Sequence, residues 1–199
     1  MREAGIGRVL VASLHQGIAD ILPARLGFYE NWLSIEGLRG GTIGIARFYA
    51  VLSFLRQEGE AYQVITARAG EYAADWTVQS MRPARRACVR LAPEWLRGRL
   101  VLRLARQIVR SSYQGSRAIS RMDRRMGSVD VHDSIFCNVR EPVPQPLCGF
   151  YATAVTRLLL LFNLRAQTEV VACRGTGEPT CLLKVVLLGV DRSEEDPVS

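Results

Sequence analysis

The sequence predicts an α+β protein: N-terminal helices packed on a C-terminal antiparallel sheet, with one apolar helix buried between them. Three observations predict it. Leu10, Leu14, Ile18 and Leu22 recur every fourth residue, and Leu96, Leu100, Leu104 and Ile108 repeat that spacing in mid-chain, which is the period of amphipathic helix. Cys148 to Phe162 is apolar nearly all round, broken by Thr153, Thr156 and Arg157, as a helix buried on most sides must be. Gln167 to Arg174 and Thr180 to Leu188 read as two strands closed by a Gly-Thr-Gly-Glu-Pro turn.

The elements follow in order. Ile6 to Leu22 forms the first helix, with Val9 and Ile21 widening its stripe, and Pro23 stops it. Leu26 to Leu33 is a shorter helical piece carrying Phe28, Tyr29 and Trp32. A glycine-rich turn, Gly37 to Gly44, precedes a helix from Ile45 to Arg56. Such a loop can cradle phosphate, but its spacing matches neither the P-loop nor the dinucleotide fingerprint and no lysine follows, so it reads as a link or a close packing point. Tyr62, Val64 and Thr66 alternating against Ile65 predict a strand over Ala61 to Ala67. Glu71 to Met81 reads as a short helix with Tyr72 and Trp76, ended before Pro83. Trp95 to Tyr113 is an amphipathic helix, and Gly115 to Met126 continues as basic helix or loop. Ser128 to Val139 alternates as a strand; Pro142, Pro144 and Pro146 impose an extended link into the buried helix. Residues 1–190 form one domain, and 191–199 an acidic, fraying tail.

With 199 residues, 48% hydrophobic and 23% charged, the chain can bury its own core. No apolar run approaches the roughly 18 residues of a membrane span. The N-terminus lacks a signal-peptide layout, so the expected location is cytoplasmic, where five cysteines are free thiols or metal ligands. The net charge is +7 and Lys184 is the sole lysine. Thirteen arginines lie between Arg82 and Arg125 against two acids, Glu94 and Asp123. Arg97, Arg99, Arg103, Arg106 and Arg110 therefore offer a surface for an anionic partner such as lipid head groups or an acidic protein, or simply a solvated helix face; nucleic acid ranks last.

The chemistry centres on thiols. Cys173 and Cys181 flank a short turn, so their side chains can converge, and Cys148 opens a helix, where free amides favour a thiolate. These are three candidate ligands for zinc, which wants four. Glu169 shares a strand face with Cys173, and Cys137 and His132 are the other candidates for the fourth. The alternative is a set of buried, inert cysteines. His132, Asp133 and Ser134 are adjacent on a strand and point to opposite faces, so they form no triad. No catalytic set emerges. Phe28, Trp32, Phe48, Tyr72, Trp76 and Phe150 are candidates to wall an apolar ligand pocket.

Val129 to Phe136, the Cys148-Gly-Phe-Tyr-Ala-Thr-Ala-Val helix start and the hairpin with Cys173 and Cys181 resemble the 4-vinyl-reductase (4VR) domain family, similar in fold to Bet3-type subunits of the TRAPP tethering complex. The resemblance implies a mixed fold, often dimeric through helices, that binds small hydrophobic molecules. It implies a zinc on Cys148, Cys173, Cys181 and an acid three residues before the first hairpin cysteine; that position holds Val170, with Glu169 beside it. The expected function is a small hydrophobic-ligand-binding regulatory or sensory domain without catalysis. The alternatives are a dimeric assembly protein using the arginine surface, and an accessory factor in tetrapyrrole synthesis.

Overall fold

The computed structural model of the protein describes residues 6–33 and 44–188. Among these are seven α-helices and a four-stranded sheet. The helices are α1 (Arg8–Ile21), α2 (Leu26–Glu30), α3 (Ile45–Gln57), α4 (Glu60–Gln79), α5 (Pro83–Leu91), α6 (Glu94–Ser112) and α7 (Gly149–Leu161). The strands are β1 (Arg117–Asp123), β2 (Met126–His132), β3 (Ala166–Ala172) and β4 (Cys181–Leu187), in the order β1-β2-β4-β3 and antiparallel throughout. The expected α+β architecture is the observed one. The glycine-rich stretch before Gly44 and the acidic tail lie outside the described residues.

The helical layer is built on α4, which lies between α1 and α7. Small residues set that closeness. A Cβ on Gly17 of α1 would lie 2.8 Å from the Ile65 carbonyl oxygen, and one on Gly70 of α4 would lie 2.3 Å from the Phe150 carbonyl oxygen. The predicted strand over Ala61 to Ala67 is therefore wrong: this segment is the first half of α4. Its buried residues, Tyr62, Ile65, Thr66, Ala69, Gly70 and Ala73, follow the i, i+3, i+4, i+7 pattern. Alanine and glycine leave no bulky stripe to read, and seven residues are too few to separate the two periods.

The sheet's inner face carries Val129, Val131, Cys181, Leu183 and Val185, all buried, against α6 and α7. In α7, Phe150, Tyr151, Ala154, Val155, Leu158 and Leu159 are buried, so it occupies the central position its composition predicts. Phe136, Phe150 and Tyr151 form an aromatic trio with centroids 5.0–5.5 Å apart.

Two further expectations are corrected. Gly115 to Met126 is neither helix nor loop but mostly β1, with Ala118 and Met122 buried and Arg117, Arg121 and Asp123 exposed. The run of arginines hides that alternation. The strand expected to reach Val139 ends at His132, because Asp133 adopts φ 55° and turns the chain into a 3-10 turn, Ile135–Cys137. Ile135, Phe136 and Cys137 are consecutively buried, which a strand with one solvated face cannot achieve. No helix among the described residues is long and apolar enough to cross a membrane.

Candidate metal centre

Four segments deliver a cysteine to one point. Cys137 ends the 3-10 turn after β2. Cys148 is the N-cap of α7, placed there by the proline-rich link. Cys173 follows β3 and Cys181 opens β4, so the hairpin supplies both from opposite shoulders of its turn. That turn is shaped by Gly177, with φ 100°, and by Gly175, where a Cβ would sit 2.9 Å from the Leu147 side chain. The Val143 amide donates to the Gly175 carbonyl at 2.8 Å, tying the link to the turn.

All four thiols are buried and their sulfurs lie within 4.8 Å of one another. Cys137 Sγ is 3.0 Å from Cys148 Sγ and 3.4 Å from both Cys173 and Cys181; Cys148 and Cys173 are 3.7 Å apart. Backbone amides point inward too: Leu147 N–H donates to Cys173 Sγ at 3.3 Å and Arg174 N–H to Cys181 Sγ at 3.4 Å. Hydrogen bonding divides the set. The bond from Cys148 lowers the Cys137 pKa and that from Cys137 lowers Cys173, while donation to Cys137 raises both Cys148 and Cys181. Cys137 thus sits at the middle of the set, accepting from Cys148 and Cys181 and donating to Cys173. Such a group could hold a metal ion, which would replace the remaining protons as the shared positive charge.

Of the predicted ligands, Cys148, Cys173 and Cys181 come together and Glu169 does not. Glu169 is exposed on β3, in register with Lys184, and Cys137 stands as the fourth thiol. Cys137 was one of three open candidates in the sequence, and the signal that would have chosen it is the turn at Asp133. His132 instead lies 3.3 Å from Asp130. The remaining cysteine, Cys88, is exposed on α5.

No cleft among the described residues is shared by the six candidate pocket aromatics. Phe48 and Phe150 are fully buried in the core, Phe28 and Trp32 pack around Phe54, and Tyr72 stacks on Trp76 over the α1–α4 surface. None lines a described cleft. Two clefts flank the thiols. One, of about 320 Å³, lies between the start of α4 and the proline-rich link, walled by Tyr62, Val143, Pro144 and Leu147 with Arg56, Glu60 and Gln63 at its edge. The other, of about 510 Å³, is polar and opens onto Cys137, with Tyr49, Tyr113, Asp133, Asn138 and Arg174 on its walls. Of the predicted arginine surface, Arg99, Arg103 and Arg106 line a separate cleft against β1. The Arg97 guanidinium reaches the Arg90 carbonyl at 3.2 Å, and Arg110 is exposed.

No family model and no curated protein matches the chain. Solved structures do. An H-NOX protein from S. oneidensis in the Fe(II)NO ligation state matches with a TM-score of 0.54 at 11% identity, covering 92% of this chain and 100% of that one. A Tt H-NOX double variant aligns over 98% of this chain and 97% of its own at 10% identity, with a TM-score of 0.42. The first likeness shows a shared fold. It also overturns the resemblance to the 4VR family and TRAPP subunits: the matching folds are H-NOX domains, and the sequence motifs that suggested 4VR select no family. The tetrapyrrole role, which rested on that resemblance alone, loses its basis with it.

Proposed function

We propose that the chain is a small-molecule-sensing domain in which a structural zinc, held by Cys137, Cys148, Cys173 and Cys181, pins the β2 turn, the α7 start and the hairpin together. The observation that carries this is the convergence of four buried sulfurs from four segments beside a ligand-sized cleft. Zinc fits the donor set, because a tetrahedral site with bonds of about 2.3 Å has sulfurs about 3.8 Å apart. The four shortest separations, 3.0–3.7 Å, are closer, so binding would widen them by up to about 0.8 Å.

For a heme, which the H-NOX class of neighbour suggests, neither described histidine is placed as an axial ligand. His15 is engaged by Glu30 at 3.0 Å on the α1–α2 surface, His132 neighbours Asp130, and neither lines a described cleft. Phe48, Phe136, Phe150 and Tyr151 are fully buried in the core.

The ligand site is the cleft of about 320 Å³, and its apolar walls select a small hydrophobic molecule. Leu147 lines it and its amide donates to Cys173, so a ligand there presses directly on the link entering the metal centre. Occupancy would shift that link against α4 and change what the surface offers a partner. Titration with the hydrophobic fluorophore N-phenylnaphthylamine tests this. One site per chain, abolished in Val143→Glu with metal content unchanged, is the expected result. No binding, or equal binding to the variant, refutes the assignment.

A further inference from the structure

Between α6 and β1 lies a cleft of about 350 Å³ that the metal centre does not touch. Arg99, Arg103, Arg106 and Arg121 line it, with Ser120 beside them and the buried Met122 as its floor. Four arginines elsewhere in the fold pair with carboxylates: Arg25 with Glu58, Arg68 with Asp20 and Glu71, Arg157 with Asp75, and Arg174 with Asp133. Among the described residues none of the four cleft arginines has a carboxylate partner. Arg99 is oriented instead by its own bond to the Met122 carbonyl, at 3.2 Å, and by its stacking on Trp95 at 5.7 Å. Arg106 is half-buried, and its Nε is enclosed without a hydrogen-bond partner.

Four guanidinium groups around one concavity repel each other, and an anion held between them relieves that repulsion. Guanidinium forks match the paired oxygens of phosphate, and a serine hydroxyl adds a neutral donor. A concave cleft of this volume admits a small molecule, not the long flat face that duplex nucleic acid requires. We propose that this cleft binds a small phosphate-bearing anion, gripped by Arg103 and Arg106 and positioned by Arg99 and Arg121.

The probe is inorganic pyrophosphate, titrated calorimetrically into the full chain at low ionic strength. One site per chain is expected, weakened roughly tenfold for each guanidinium removed in Arg103→Gln and Arg106→Gln and weakened by added salt. Arg174→Gln, in the other cleft, should leave it unchanged, and equal melting temperatures of the variants exclude misfolding. A second arm distinguishes the source of the phosphate. Sedimentation with phosphatidylcholine vesicles containing phosphatidic acid, lost in the double variant, identifies a lipid headgroup; pyrophosphate binding without vesicle capture identifies a free phosphate. Absence of both, undiminished binding by the double variant, or capture of duplex DNA alone overturns the proposal.

Discussion

Cys137→Ser and Glu169→Gln separate the two ligand sets most sharply. Cys137 is the hub of the cluster, with its sulfur 3.0–3.4 Å from the other three. Structural zinc sites release about 10–16 kcal/mol on binding, so one of four thiolates carries roughly 3 kcal/mol, or about 100-fold in metal affinity. Because metal binding is coupled to folding, the same loss should lower the melting temperature by about 6–12 °C for a chain of this size. Glu169 is exposed and faces Lys184 across the strands, so its amide variant should shift stability by less than about 0.5 kcal/mol and leave metal affinity alone. Competition with a chromophoric chelator reads the affinity, and calorimetry reads the melting temperature. If Cys137→Ser keeps wild-type affinity while Glu169→Gln loses it, the four-sulfur site is wrong.

Two more predictions test the frame around the site. Gly70→Ala places a Cβ 2.3 Å from the Phe150 carbonyl, so α4 and α7 must part by roughly 1 Å, at about 1–3 kcal/mol in a denaturant titration; Gly27→Ala, with nothing within 4 Å, should be neutral or stabilising. On the alkaline side, burial and then the Glu58 carboxylate raise the Tyr29 phenol from 10.0 to about 12. The folded value exceeds the unfolded one, so the contribution of the neutral phenol is complete below pH 10 and disappears as the pH rises through about 12. The stability advantage of the native chain over Tyr29→Phe should vanish across that window in urea titrations, and an advantage constant to pH 12 would contradict the assignment.

The fold was legible where bulky residues carried the period. The stripes of α1 and α6, the apolar α7 and the β3–β4 hairpin are all written in leucine, valine and phenylalanine. α4 was half misread because its packing face is alanine and glycine, which signal closeness only when the partner helix is known. β1 was hidden by arginines on its exposed face. Three of the four converging thiols were readable from the hairpin and the helix start. Cys137 was not singled out, because its position depends on the left-handed turn at Asp133, a conformation that a single aspartate does not announce. The aromatics were read as one pocket because most of them fall in the first half of the sequence, yet α2, α3, α4 and α7 carry them to different places. The arginine cleft was visible as charge density alone; its concavity needed β1 beside α6.

X-ray absorption of the purified chain at the zinc edge, with metal content measured on the same sample, is the most direct test of the central claim. The account predicts one zinc per chain, surrounded by four sulfurs at about 2.3 Å and no light-atom ligand. A chain that retains no metal when purified under reducing conditions, or that carries iron with the visible absorption of a heme, would contradict it.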